Sequence, residues 1–166
     1  ALIFKDKIVA IVGGANAAVM GASMLAEKAK KVYLIYRKDK LRADVIWVDK
    51  LKKYKNVEII YNTNVLEVRG EDWLEEIVLD NSEKIKTHGL VVEAGSAPNT
   101  VTIQELGIKT NEYGYIETDK NQMTSVEGIF AAGDITTGSN NFRQIITACS
   151  EGAIAALGVL NYLNKK

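Results

Sequence analysis

The sequence predicts an α/β chain built on a three-layer, doubly wound (Rossmann-like) parallel sheet with an antiparallel β crossover. Three observations predict it. An unbroken apolar run, Ile8-Val9-Ala10-Ile11-Val12, ends in Gly13-Gly14 and passes at once into small residues. A second apolar run at 31–36 follows one helix later and closes a βαβ unit of about 30 residues. Two alternating runs around Gly70-Glu71-Asp72 then read as a hairpin, ahead of another apolar run at 90–94.

In chain order, residues 4–12 form a strand whose unbroken apolar character requires cover on both faces. Gly13 makes the tight turn. Residues 16–29 form a helix, with Val19, Met20, Met24 and Leu25 recurring at helical spacing. Gly21 inside it costs about 1 kcal/mol relative to alanine and marks close packing. The start of this helix offers unpaired N–H groups and partial positive charge to a pyrophosphate. The motif is G-x-A-x-x-A; Ala18 is an accepted variant, whereas Ala15 stands where a second glycine lets the backbone approach the ligand. On this motif alone, a strand-turn-helix with no ligand reads equally well.

The end of the strand at 31–36 carries more chemistry. A site for NAD places a carboxylate roughly 20 residues past the glycines, to bind the ribose 2′-hydroxyl. Here the chain reads Tyr36-Arg37-Lys38-Asp39-Lys40-Leu41-Arg42. Forked guanidinium groups at Arg37 and Arg42, with the point charge of Lys38, suit the 2′-phosphate of NADP. The alternative is a solvated charged loop.

Residues 43–54 are amphipathic, with Val45, Ile46, Val48 and Leu51 expected to face inward and Trp47 to pack. Strands are expected at 57–61, 64–69, 73–79, 84–86 and 90–94, the last one buried, with His88 on the surface. Gly95-Ser96-Ala97-Pro98-Asn99-Thr100 holds the only proline and reads as a hinge, so the chain divides into domains 1–95 and 96–166. Beyond it come a short helix at 101–106, a strand at 115–118, a buried strand at 128–132 and a long helix at 142–163. Cys149, within an apolar stretch of that helix, reads as a buried small residue rather than a nucleophile.

Composition narrows the function. The 166 residues suffice for one domain or two small ones. Lys plus Arg and Asp plus Glu number 21 each, which argues against nucleic-acid and anionic-membrane partners. From the sequence, no apolar run is expected to approach the roughly 20 residues of a membrane span, and no signal peptide is expected. One cysteine forbids an internal disulfide or dithiol and fits a reducing, cytoplasmic setting. A lone histidine forms no zinc cluster or His-based triad, so no metal ligand and no catalytic residue is assigned.

Five collinear stretches resemble the low-molecular-weight thioredoxin reductases and their flavoprotein relatives. Val12-Gly13-Gly14-Ala15-Asn16-Ala17-Ala18 resembles their pyridine-nucleotide motif, and Tyr36-Arg37-Lys38-Asp39-Lys40-Leu41-Arg42-Ala43 their H-R-R-x-x-x-R-A signature for NADPH. Gly95-Ser96-Ala97-Pro98-Asn99-Thr100 is similar to the return into their FAD domain. Residues 124–134, ending in Gly133-Asp134, resemble the second flavin motif, and Phe142-Arg143-Gln144 the segment lying against the flavin. The departures are Tyr36 for histidine, Lys38 for arginine, Ala15 for glycine, and Met20-Gly21 where acidic residues usually stand.

The resemblance implies NADPH and FAD as cofactors, and hydride passing from one to the other, then to a dithiol, then to a thioredoxin-like disulfide protein. It places Gly13, Gly14, Ala15, Asn16 and Ala17 around the pyrophosphate and Arg37, Lys38 and Arg42 around the 2′-phosphate. Gly133 and Asp134 would meet the flavin ribitol, and backbone N–H groups of Arg143, Gln144 and Ile145 the flavin or its phosphates. The match is to the C-terminal part of such an enzyme: an NADPH domain lacking its dithiol segment, then an incomplete FAD-domain segment. The expectation is therefore a fragment inactive on its own, and a homodimer or self-associating chain. The alternatives are a non-catalytic nucleotide-binding or assembly module, and a ferredoxin-linked relative with a decayed NADPH site.

Overall fold

In the computed structural model, β1 (Ile8–Val12) is central to a parallel sheet. It pairs with β2 (Lys31–Tyr36) on one side and β7 (Leu90–Val92) on the other, and β3 (Val57–Tyr61) lies beyond β2. The structure describes residues 1–95, 97–99, 103 and 105–164. Contacts divide the chain into Ala1–Gly95 and Ser96–Lys166.

Alternation along β1 explains its unbroken apolar sequence. Val9 and Ile11 join Val32 and Leu34 in a cluster with Ala18, Val19, Ala22 and Leu25 of α1 (Asn16–Ala26) and Leu51 of α2 (Val45–Leu51). Ala10, on the opposite face, joins Ile35 and the side chains Ile77, Leu79 and Ile85. Those three belong to a second, antiparallel sheet of β4 (Val65–Arg69), β5 (Glu76–Leu79) and β6 (Lys84–Lys86). The layers are thus helices, parallel sheet and antiparallel sheet.

Several boundaries differ from the expected ones. β1 starts at Ile8, not residue 4, because Leu2–Phe4 forms a 3-10 turn and Asp6 has a φ of 59°. Phe4 instead packs over Gly89, where a Cβ would strike its ring. α1 stops at Ala26 rather than 29; the Asn56 side-chain amide donates to the carbonyls of Ala26 (2.9 Å) and Ala29 (3.0 Å), satisfying the helix end. α2 is shorter than 43–54, and Val45 and Ile46 are exposed rather than inward, because only the stripe through Trp47, Val48 and Leu51 meets the core. β5 begins at Glu76, leaving Trp73 exposed. β7 ends at Val92 and is an edge strand with Val92 exposed, not a buried strand reaching residue 94. His88 is exposed, and its Nδ1 accepts the Ile8 N–H at 3.2 Å.

The unit Ser96–Lys166 centres on α3 (Ile145–Leu163). The strands expected at 115–118 and 128–132 are only isolated bridges, Thr110 to Ile116, Ile116 to Thr136 and Met123 to Phe130, and residues 128–132 are half-buried or exposed. No neighbouring ladder extends them among the described residues. The hinge residues Ser96 and Thr100, and Val101, Thr102 and Gln104 of the expected short helix, lie outside the described residues.

α3 starts three residues later than expected, after a 3-10 turn at Ser139–Asn141, because Gln144 and Thr147 form a capping box. One face packs: Glu151 and Gly158 are buried, and Tyr162 meets the Phe130 ring edge-on at 6.2 Å. The other face leaves Ile146, Leu157 and Leu160 exposed. Cys149 lies there too, so it is exposed, contrary to the expected burial; the packed face runs through Glu151 and Gly158 instead. Contrary to the expectation from sequence, this 19-residue helix is long and apolar enough to cross a membrane by length and composition.

Candidate functional site

The strand order β3-β2-β1-β7 reverses direction between β1 and β7, and such switch points open a crevice beyond the strand ends. The turn after β1 lies there. Gly13 has a φ of 146°, and a Cβ on it would strike the Glu93 carbonyl and the Ala18 methyl. Gly14 is covered by the Tyr36 ring, which any Cβ would hit. Tyr36 is therefore a buried packing residue closing the turn, a role its position at a strand end did not suggest.

Ala15 takes the N-cap position of α1 in an extended conformation, and its carbonyl accepts the Val19 N–H at 3.1 Å. Its side chain is half-buried, while Asn16 and Ala17 are exposed. No acidic residue belongs to the first turn, and the one carboxylate that reaches it among the bonds described is that of Asp44, which accepts from Asn16 Nδ2 at 2.8 Å.

Arg37, Lys38 and Arg42 are all exposed. The Arg42 N–H donates to the Gly14 carbonyl at 2.7 Å, tying the cationic loop to the glycine turn. Lys38 accepts the Asn62 N–H through its carbonyl at 3.2 Å. This unit thus gathers Gly13, Gly14, Ala15, Asn16, Ala17, Arg37, Lys38 and Arg42 around the ends of β1 and β2. An open apolar groove lined by Val12, Val65, Leu66, Val68, Leu90 and Val92 includes none of these residues.

The second unit gathers its own candidates. Gly133 has a φ of 87°. Its N–H donates to Glu151 Oε2 at 2.8 Å. Asp134 is exposed, and its carbonyl accepts from Arg143 Nε at 3.3 Å. The Arg143 guanidinium also lies over the Tyr115 ring, 3.8 Å from its centroid. The Gln144 N–H donates to Thr147 Oγ1 at 3.1 Å and so already has a partner. Ile145, the first residue of α3, is exposed.

Glu151 organises this region. Its carboxylate accepts from the Gly133 N–H, from Thr136 Oγ1 at 2.8 Å and from Ser139 Oγ at 2.6 Å. Burial pushes its carboxyl up, but the bonds from Ser139, Thr136 and Gly133 outweigh this and hold it below the ordinary value. Among the described residues no cluster of His, Cys, Asp and Glu could hold a metal ion.

Residues 2–152 match the family model of the pyridine nucleotide-disulphide oxidoreductases. The chain belongs to that family. It is 39% identical to the thioredoxin reductase of Bacillus subtilis over 168 residues, covering 98% of this chain and 52% of that protein. It is 36% identical to a 34.2 kDa protein in the rubredoxin operon of Clostridium pasteurianum, over 99% of this chain and 54% of that one. The Lactococcus lactis thioredoxin reductase structure (FR conformation) is similar at a TM-score of 0.88 and 30% identity, over 99% of this chain and 55% of that chain. The T. acidophilum thioredoxin reductase gives 0.83 and 34%, over 98% and 54%. The chain spans about half the length of these relatives.

Sequence reasoning about this oxidoreductase-family chain missed Asp44 and Glu151. Glu151 had a visible signal, a lone carboxylate inside an otherwise apolar helix, which demands buried partners. Asp44 had a weaker one, an N-cap residue type directly before an amphipathic segment.

Proposed function

We propose that the unit Ala1–Gly95 binds NADPH, and that the whole chain is part of a thioredoxin reductase-like flavoprotein disulfide reductase. The single observation that carries this is the exposed loop with Arg37, Lys38 and Arg42, tied through the Arg42 N–H to the carbonyl of Gly14. It presents three cations beside a helix N-terminus, at a switch point, with no carboxylate at the end of β2.

The residues fit a phosphorylated dinucleotide. The turn at Gly13-Gly14 clears the path to the start of α1, whose first N–H groups would hold the pyrophosphate. Arg37, Lys38 and Arg42 would hold the 2′-phosphate. Gly133-Asp134 and the start of α3 would contribute part of a flavin site, with Glu151 holding that turn in place. The bound cofactors supply hydride and electron transfer. Cys149 is the single thiol of the sequence, so in this reading the dithiol and the thioredoxin-like disulfide partner belong to the complete enzyme, and these residues alone do not turn over. The carboxylate of Glu151, hydrogen-bonded within α3's packed face, favours a place for this helix in a folded unit over a bilayer. The exposed face of α3 then meets a second copy or the rest of the flavin unit, and the setting is the cytoplasm.

The test is substitution at the cations. Arg37→Ala and Arg42→Ala are each expected to weaken NADPH binding about tenfold, the equivalent of roughly 1.4 kcal/mol, while NADH affinity stays unchanged. Equal losses for both nucleotides would refute the assignment.

A further inference from the structure

We propose that Asn16 and Asp44 form a positioning latch that holds the cationic loop against the glycine turn and keeps its charges available to a phosphate. The role in nucleotide preference rests on the NADPH reading above. The Asp44 N–H donates to Asn16 Oδ1 at 2.8 Å, and Asn16 Nδ2 donates to Asp44 Oδ2 at 2.8 Å. The pair is reciprocal and spans 28 residues.

Asp44 stands at the N-cap of α2, where a carboxylate ordinarily accepts from its own helix. It makes no such side-chain bond. Its carboxylate is turned to Asn16 instead. Its carbonyl still starts α2, accepting the N–H groups of Trp47 (3.0 Å) and Val48 (3.2 Å). The latch therefore joins the first turn of α1 to the first turn of α2, and the cationic loop lies between these anchors.

The second consequence is electrostatic. Asp44 lies two residues from Arg42, and a carboxylate free to pair with that guanidinium would compete with a phosphate for it. Asn16 engages this carboxylate. Among the described residues, none of Arg37, Lys38 and Arg42 enters a salt bridge.

The test uses the full 166-residue chain. Hydrogen exchange without nucleotide reads the latch itself. Asn16→Ala and Asp44→Ala should both speed exchange at the Asp44 and Arg42 amides, while Asp44→Asn, which keeps an acceptor oxygen, should not. Unchanged exchange in both alanine variants overturns the latch, whether or not nucleotide binds. Calorimetric titration reads its role. Asp44→Ala should weaken NADPH about five- to tenfold and leave NADH unaffected, with Asp44→Asn restoring wild-type affinity. Tighter NADPH binding by Asp44→Ala would show that Asp44 acts only as a repelling charge and would overturn the positioning role. If the wild-type chain binds both nucleotides alike while the alanine variants still loosen the loop, the NADPH reading fails and the role in preference fails with it, but the latch stands.

Discussion

Ala15 and Glu151 show how single side chains bear on the two candidate sites. Ala15 occupies an N-cap, where glycine is better tolerated than alanine, and in the proposed site its methyl would stand where a glycine lets the backbone approach the pyrophosphate. Ala15→Gly is therefore expected to keep or slightly raise thermal stability and to tighten NADPH. A calorimetric titration showing unchanged affinity would clear the methyl of any effect on binding. Glu151 satisfies three donors from a buried position. Glu151→Ala should destabilise the segment from 133 to 139 by about 3 kcal/mol, because those donors lose their acceptor, read as faster hydrogen exchange there. The folded carboxyl titrates below its ordinary value of 4.5. The native state therefore binds fewer protons than the unfolded state at intermediate acidity. The stability it contributes is complete above 4.5 and is lost as pH falls through the folded value. Acid unfolding of this unit should show that loss, and Glu151→Gln should remove it.

At the scale of elements, burial decides which expectations succeed. The βαβ unit was legible because β1 is covered on both faces and leaves no polar residue in its run. α2 was less legible: its apolar residues outnumber the positions that meet the core. Leu51, which is 1% exposed, and Ile46, 71% exposed, look alike in sequence. Leu51→Ala should cost about 2–5 kcal/mol, whereas Ile46→Ala should stay within about 0.5 kcal/mol. Urea midpoints of the two variants check this, and similar losses would contradict the packing described. The exposure of Cys149 was illegible for a related reason. α3 is apolar on more than one face, and its partners, among them Asn121, Glu127, Phe130 and the turn at 133–139, decide which face is covered.

For the whole chain, contacts separate Ala1–Gly95 from Ser96–Lys166, just ahead of the only proline, Pro98. The candidate nucleotide residues were legible one by one, through the glycine turn and the cations. Their connection was not. The bond from the Arg42 N–H to the Gly14 carbonyl joins backbone groups far apart in sequence and leaves no trace in residue type. The same holds for Asn16 and Asp44. The strands of the second unit misled for the opposite reason: residues 128–132 have strand-like composition, but only Phe130 finds a bridge partner. In the proposed site the glycine turn and the cationic loop together hold a 2′-phosphorylated dinucleotide. Calorimetric titration of NADPH and NADH into the chain at low and high salt tests it most directly. NADPH is expected to bind more tightly, with the difference shrinking as salt screens the exposed cations. Equal affinities at low salt, or a preference for NADH, would contradict it.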